Sequence, residues 1–219
     1  MDYFDNGFKV VRIVITGGPC SGKTTALDQA AERLGDLGFT ILMMPETATQ
    51  LISCGISPWS CESLFSYQRW QMRLQLAKEK VYAGAAEEIA RVQGKPVLIL
   101  YDRGMMDNKA YSTDEEFVEL LDELELTEDE CLSWYDGVFH LETAAKGAVE
   151  FYTCANNSTR TETVEEAIEV DNASLHAWED YPDRVIIDNS TDFAGKMDRL
   201  YEGIRSVLIQ ASEDPEDIG

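Results

Sequence analysis

The amino-acid sequence predicts an α/β fold in which a five-stranded, mainly parallel sheet lies between helices on both faces. Short apolar, β-branched segments alternate with longer segments of helical periodicity over most of the 219 residues. A glycine-rich turn joins the first strand to the first helix, and every later strand ends in polar residues. Ligands of open parallel sheets bind at the carboxyl ends of the strands. The same pattern therefore predicts the three-layer sandwich and the place of its binding site.

The first strand, the glycine-rich turn and the first helix form the most informative segment. Val10–Thr16 is apolar and β-branched, as a buried parallel strand requires, and Thr25–Leu34 carries an apolar helical face. Between them, Gly17–Thr24 matches the phosphate-loop pattern G-x-x-x-x-G-K-[ST]. In this motif backbone N–H groups and the helix N-terminus bind phosphate, Lys23 reaches the β- and γ-phosphates, and Thr24 binds Mg²⁺. The predicted nucleotide-binding residues are Gly17, Gly18, Pro19, Cys20, Ser21, Gly22, Lys23, Thr24, Thr25 and Asn189.

The remaining elements follow from the same periodicities. Apolar runs predict the other four strands at Thr40–Met44, Pro96–Tyr101, Gly137–Glu142 and Arg184–Asp188. Helical spacing predicts Cys61–Gln93, Val164–Trp178, Phe193–Gln210 and two short helices after Asp114, the second starting with a capping box at Thr127. The apolar residues of the long helix that recur at helical spacing are Leu74, Ala77, Val81, Ala85, Ile89 and Val92.

Length and composition predict one domain over residues 1–211, with a lid at about 144–163 and an acidic tail at 212–219. The net charge of −23 argues against binding nucleic acid or anionic membranes through a basic face. The five cysteines show no metal-ligand spacing, and no signal or membrane-spanning segment is visible. These features predict a cytoplasmic protein whose partners are small molecules, and they leave a homodimer open.

Three charged residues at strand ends complete the predicted phosphate chemistry. Glu46 follows the second strand and could orient or deprotonate an acceptor hydroxyl, or merely complement a helix N-terminus. Asp102 ends the third strand and could hold Mg²⁺, or cap the following turn. Arg103 could clamp a phosphate. The predicted catalytic set is Lys23, Glu46, Asp102, Arg103 and Arg160, with Thr24 and Asp102 as metal ligands.

Two further predictions concern the later part of the chain. Arg160 lies in the polar segment Thr153–Thr163, which suits a lid over the phosphates but equally an exposed loop. Asn189 follows the fifth strand, where a loop could touch the nucleobase. We interpret His140 as a buried core residue and His176 as exposed. The aromatic and arginine residues of the long helix could form an acceptor pocket or belong to the core: Tyr67, Arg69, Trp70 and Arg73.

These motifs occur in an order that resembles a known family. The sequence is similar to the AAA-28-type P-loop domains, which are P-loop NTPases or kinase-like proteins and include the TRPL translocation defect protein. The resemblance rests on the phosphate loop, the strand ends and the more specific runs Asn156-Asn157-x-x-Arg160-x-Glu162, Ala177-Trp178 and Asp188–Phe193. It implies a nucleotide-kinase-like P-loop fold with a small lid, and it spans nearly the whole chain.

The sequence thus predicts Mg²⁺-dependent transfer of the γ-phosphoryl group of a nucleoside triphosphate to a nucleoside- or nucleotide-like acceptor. The alternative is a regulatory protein that hydrolyses ATP or GTP slowly and signals by ordering loops. The guanine-reading N-K-x-D motif is absent, since Asn108-Lys109-Ala110-Tyr111 lacks the aspartate. This favours ATP and leaves GTP open.

Overall fold

The computed structural model describes residues 9–147 and 163–213. Its strands are β1 Val10–Thr16, β2 Thr40–Met44, β3 Val97–Asp102, β4 Gly137–Leu141 and β5 Val185–Ile187. Its α-helices are α1 Lys23–Leu34, α2 Thr47–Ser53, α3 Leu64–Gln93, α4 Asp114–Glu123, α5 Glu128–Leu132, α6 Val164–His176 and α7 Phe193–Glu213. Short 3₁₀ helices cover Gly35–Leu37 and Met105–Tyr111. Residues 148–162, which make up most of the predicted lid at about 144–163, lie outside the described residues.

The five strands form one sheet in the order β2-β3-β1-β4-β5, and all its pairs are parallel. The predicted fold class is therefore confirmed, and the sheet is all-parallel rather than mainly parallel. The chain first moves from β1 to one edge and then crosses to the other side, so β1 lies where the strand order reverses. Ligands bind in the crevice at such a point.

Two apolar cores cover the two faces of the sheet. α1 and α7 pack on one face, whereas α3, α4, α5 and the residues directly after α6 pack on the other. In β3, Val97, Ile99 and Tyr101 enter one core, and Leu98 and Leu100 enter the other. A strand buried on both faces needs an uninterrupted apolar run rather than an alternating one. This explains why the third strand could be located from its sequence.

The observed helix ends lie at capping residues, which locate them more closely than the apolar periodicity of the sequence. The Ser66 N–H donates to Ser63 Oγ at 3.1 Å, so α3 begins at Leu64, three residues after the predicted start. The two acidic helices are confirmed, with capping boxes at Thr113 and Thr127. α7 extends to Glu213, past the predicted domain end. Within residues 9–147 and 163–213, every helix is too short or too polar to cross a bilayer.

The helix predicted from the apolar spacing is confirmed as α3, but most of the apolar residues that define this spacing do not face the core. Ala77 and Ala85 are exposed, and Val81 and Val92 are exposed by 66% and 72%. The buried face instead carries polar side chains together with small and apolar ones: Tyr67, Gln68, Gln71, Met72, Gln75, Glu79, Ala83, Ala86 and Ala90. Buried polar groups are tolerated when they find hydrogen-bond partners, and Gln71 and Glu79 do so. Hydropathy spacing alone cannot detect such a face.

Candidate functional site

The glycine-rich loop between β1 and α1 lies at the carboxyl end of the central strand. Gly17 has φ +134°, and a Cβ added there would lie 2.0 Å from the carbonyl oxygen of Leu141 at the end of β4. Gly22 has φ +100°, and its added Cβ would lie 2.8 Å from the Phe193 ring. Both positions require glycine, because L-residues with a side chain rarely adopt these conformations and no space is left.

The loop leads into a helix start that is suited to an anion. α1 begins after Gly22 without a side-chain cap and without an acidic residue in its first turn. Its first N–H groups and the positive end of the helix dipole therefore remain for a ligand. The exposed Thr24 lies in this first turn, where its hydroxyl can reach a bound ion.

Lys23 folds back over the loop. Its Nζ donates to the carbonyl oxygens of Gly17 and Gly18 at 2.8 and 2.9 Å and to Ser21 Oγ at 3.2 Å. Burial and the nearby positive charge of Arg103 together lower the pKa of Lys23 to about 8, against the opposite effect of Asp102. The ammonium group is thus placed inside the loop, on neutral oxygens that a phosphate can replace.

Asp102 lies beside this loop, because β3 is paired with β1 and Asp102 faces Ile15 in the register. Its Oδ1 is buried and has no hydrogen-bond partner among the described residues. Burial raises the pKa of Asp102 to about 6, against the effect of Lys23. A buried carboxylate oxygen without a donor is costly unless a cation or another ligand completes it. Carboxylate and hydroxyl oxygens are the ligands Mg²⁺ prefers, so Asp102 and Thr24 fit this ion.

Glu46 and Arg103 form an ion pair at the ends of β2 and β3. Arg103 Nε donates to Glu46 Oε1 at 2.8 Å, and both side chains are largely buried. Burial alone would raise the pKa of Glu46, but Arg103, a hydrogen bond from Thr49 and the charge of Lys23 together lower it to about 2. Glu46 is therefore an anion at neutral pH. The fold thus brings together two residues that the sequence places at the ends of separate strands.

Asp107 anchors the other side of Arg103. Its carboxylate accepts hydrogen bonds from Arg103 Nη1 at 3.2 Å, the Gly104 N–H at 2.9 Å, Trp178 Nε1 at 3.2 Å and the Thr16 hydroxyl. A Cβ on Gly104 would lie 2.8 Å from the Trp178 ring, so the turn after Arg103 is tightly packed. Sequence reasoning missed Asp107, because it belongs to no motif. The signal that could have found it is its position three residues after Gly104, which is the spacing of a capping residue.

A second anchor that the sequence did not indicate is Asp171 on α6. Its Oδ1 accepts hydrogen bonds from the Gly18 N–H at 2.7 Å and the Thr143 N–H at 3.1 Å, and its Oδ2 accepts one from Lys146 Nζ at 2.7 Å. The Thr143 hydroxyl donates to the carbonyl oxygen of Pro19 at 2.5 Å. The back of the phosphate loop is thereby tied to α6 and to the turn after β4.

Two groups of predicted site residues are not found at the phosphate loop among the described residues. Arg160, with Asn156 and Asn157, falls outside the described residues. The amide of Asn189 donates to the carbonyl oxygens of Thr143 and Lys146, so its side chain supports that turn, and its contact with a nucleotide stays a prediction.

The acceptor cluster predicted on the long helix is not assembled as a unit. Arg69 and Arg73 pair with Glu123 of α4, and Trp70 is 54% exposed, whereas Tyr67 is buried. Of the two histidines, His140 is buried and His176 is exposed, as expected.

The comparisons with known proteins agree with this geometry. A profile of the family described as AAA domain (AAA_28) matches residues 12–196, and none of the curated proteins matches the chain. Among solved structures, the chain is similar to that of deoxyadenosine kinase from M. mycoides with bound dATP, with a TM-score of 0.53 and 13% identity. The alignment covers 89% of this chain and 99% of that chain. At this identity the similarity shows the kinase-like fold alone. Because the profile spans most of its length, the chain belongs to the AAA_28 family of P-loop AAA domains.

Proposed function

We propose that this protein transfers the γ-phosphoryl group of ATP to a hydroxyl of a nucleoside- or nucleotide-like small molecule. The observation that carries the proposal is the Glu46–Arg103 ion pair, with its 2.8 Å contact, beside Lys23 and Asp102 at the carboxyl ends of β1, β2 and β3. A nucleotide-binding loop alone serves many functions. A buried carboxylate and guanidinium placed together at its mouth suit the two demands of phosphoryl transfer, which are a positioned acceptor and a neutralised phosphate.

In this proposal the cations stabilise the charge of the transferring group. Lys23 leaves the carbonyl oxygens of Gly17 and Gly18 for the β- and γ-phosphates. Arg103 is held at both ends, by Glu46 and by Asp107, so its guanidinium is oriented before the substrate arrives. Preorganised charges of this kind cost no rearrangement during the reaction.

Glu46 would orient the acceptor hydroxyl rather than act as a strong base. With a pKa of about 2 it is always ionised at neutral pH, but it holds a proton only weakly. Its side chain remains 27% exposed, so a hydroxyl can reach it. The transition state of phosphoryl transfer is loose, and the nucleophile needs positioning more than early deprotonation. A weakly basic carboxylate meets that need.

Thr24 and Asp102 are the residues that would hold Mg²⁺. The ion, when bound, neutralises negative charge on the phosphate oxygens. The orphaned Oδ1 of Asp102 supports this assignment, because the buried oxygen would gain a partner. The acceptor class is inferred from the fold, since the similar structure is that of a deoxyadenosine kinase.

The direct test is incubation of the protein with MgATP and a pooled metabolite library, with mass spectrometry of the products. We expect one phosphorylated metabolite that is not formed by the Lys23→Ala variant. Removing one preorganised charge typically lowers the rate by about 10²–10³. The matched control is Lys80→Ala, which removes an exposed lysine of α3.

Two results would contradict the proposal. If Lys23→Ala kept the wild-type rate, the assignment of the site would be wrong. If ADP and free phosphate formed slowly and no metabolite was phosphorylated, the protein would be a nucleotide-hydrolysing switch and not a kinase. Comparing its shape in the ATP and ADP states would then be the next measurement.

A further inference from the structure

We infer that Asp171 is a positioning residue that holds the first half of the phosphate loop in its binding shape before a nucleotide arrives. The inference needs only nucleotide binding at the loop, so it holds for a kinase and for a switch. Asp171 lies on α6, far along the chain from the loop, and touches the loop through one backbone N–H and not through a side chain. No sequence motif contains such a contact.

The Asp171 carboxylate is a fully buried anion with donors from two sides. Its side chain is 0% exposed, and its oxygens are contacted by the Gly18 and Thr143 N–H groups and by Lys146 Nζ. His140 Nε2 lies 3.3 Å from Oδ1. Burial would raise the pKa of Asp171, but His140 and Lys146 hold it well below its usual range. A buried charge is retained only where donors surround it, so this carboxylate is fixed in place.

The loop is shaped to receive this carboxylate. A Cβ on Gly18 would lie 2.7 Å from Asp171 Cβ, so the glycine at this variable position of the motif makes room for the anchor. The carbonyl oxygens of Pro19 and Cys20 accept hydrogen bonds from the Thr143 hydroxyl and the Ala144 N–H, at 2.5 and 3.3 Å. The first half of the loop is thus attached to the protein behind it. Ordering a loop before binding reduces the entropy that the ligand must offset.

An anion behind a phosphate site has an electrostatic cost that Lys146 offsets. The carboxylate repels a bound phosphate, and this repulsion is strong where water is excluded. Lys146 Nζ lies 2.7 Å from Asp171 Oδ2 and neutralises it, while its own side chain stays partly exposed. Asp171 therefore fixes the geometry of the loop, and Lys146 compensates the negative charge of Asp171.

The test measures dissociation constants for MgATP and for inorganic tripolyphosphate by calorimetry, together with the thermal midpoint. A hydrogen bond to a charged group is worth about a tenfold change or more. We expect Asp171→Ala to weaken both ligands about tenfold or more and by the same factor, because the loop binds phosphates and not the base. Asp171→Asn keeps an acceptor for Gly18 and should lose less.

Phe117→Leu is the matched control, since it destabilises the core of α4 away from the loop. The inference is overturned if folded Asp171→Ala binds both ligands like the wild type. It is also overturned if Phe117→Leu loses as much affinity at an equal thermal midpoint, or if Asp171→Ala weakens ATP but not tripolyphosphate. Should Asp171→Ala fail to fold, the same comparisons are made with Asp171→Asn. None of these results depends on whether an acceptor is phosphorylated.

Discussion

Individual glycines of this chain affect stability for different physical reasons, and the free energy of unfolding of glycine-to-alanine variants can distinguish them. Gly17 has φ +134° and faces the carbonyl oxygen of Leu141, which leaves no room for a methyl group. Gly84 lies inside α3, and a Cβ added there meets no atom within 4 Å. The first glycine is required by the close approach of two backbone segments. The second merely weakens a helix, because glycine loses more conformational freedom than alanine.

The paired substitutions Gly17→Ala and Gly84→Ala should therefore have opposite effects. We expect Gly17→Ala to lower the free energy of unfolding by about 2–4 kcal/mol, from backbone strain and overpacking. Gly84→Ala should raise it by up to about 1 kcal/mol. Urea denaturation of both variants measures these values. Equal stability of the two variants would show that the close contact at Gly17 relaxes freely.

Glu46 offers a second prediction at the residue scale. Glu46→Gln keeps an oxygen for Arg103 but weakens the orientation of the acceptor hydroxyl, so we expect kcat to fall by about 10² while the dissociation constant of MgATP stays near its wild-type value. Glu123→Gln is the matched control, because Glu123 also pairs with arginines but on the α3–α4 surface. An equal loss of kcat in both variants would show that Glu46 has no specific role in the site.

At the scale of one element, α3 links the core to the site through buried polar side chains. Gln75 accepts a hydrogen bond from the Thr47 hydroxyl and donates to the carbonyl oxygen of Arg103 at 3.4 Å. One turn later, Glu79 accepts a hydrogen bond from the Tyr135 hydroxyl at 2.7 Å. That hydroxyl in turn accepts one from the Met105 N–H at 2.9 Å. The helix thus supports the turns on both sides of Arg103.

Glu79 should make the stability of the fold depend on pH. Burial raises its pKa from 4.5 to about 7, against the hydrogen bond from Tyr135. Between these values the folded protein binds a proton that the unfolded chain has lost, so stability falls as pH rises from about 4.5 to about 7. The shift corresponds to about 3 kcal/mol. Glu79→Gln, which keeps the acceptor for Tyr135, should be more stable than the wild type at pH 8 by about this amount and similar at pH 4.5.

Urea denaturation of the two proteins at both pH values isolates this group, because the other titrating residues are shared. A constant stability difference across the range would mean that Glu79 ionises in the folded protein as it does in the unfolded chain. A larger stability difference at pH 4.5 than at pH 8 would contradict the prediction, because it would mean that folding lowers the pKa of Glu79.

For the whole molecule, residues close in sequence were predicted better than residues brought together by folding. The order of strands and helices follows from local runs such as Val10–Thr16, and β1 matches its predicted bounds. The contacts of Asp107 with Trp178 and of Asp171 with Gly18 could not be predicted, because these partners are distant in the chain. The buried face of α3 was not predicted for the same reason: Glu79 is buried against Tyr135, a partner that hydropathy does not reveal.

The net charge of −23 is a property of the whole molecule that no single contact explains. The candidate site contains positively charged side chains, and exposed ion pairs such as Arg33–Asp198 add attraction. Each exposed pair contributes only about 0–1 kcal/mol to stability. The 41 acidic residues outnumber the 18 basic ones, so repulsion among acidic side chains dominates the surface. Self-repulsion of this kind destabilises a compact state.

Stability should therefore increase with ionic strength. The screening length falls from about 30 Å at 0.01 M salt to about 10 Å at 0.1 M, so repulsion between distant carboxylates is removed while contacts within 4 Å persist. A gain of about 1 kcal/mol would raise the thermal midpoint by about 2–4 °C in a chain of this size. Calorimetry in KCl and in NaCl at equal ionic strength measures it, and equal shifts in both salts identify screening as the cause. A midpoint that falls with added salt would show that the ion pairs, and not the excess of acidic residues, govern the electrostatic stability of this fold.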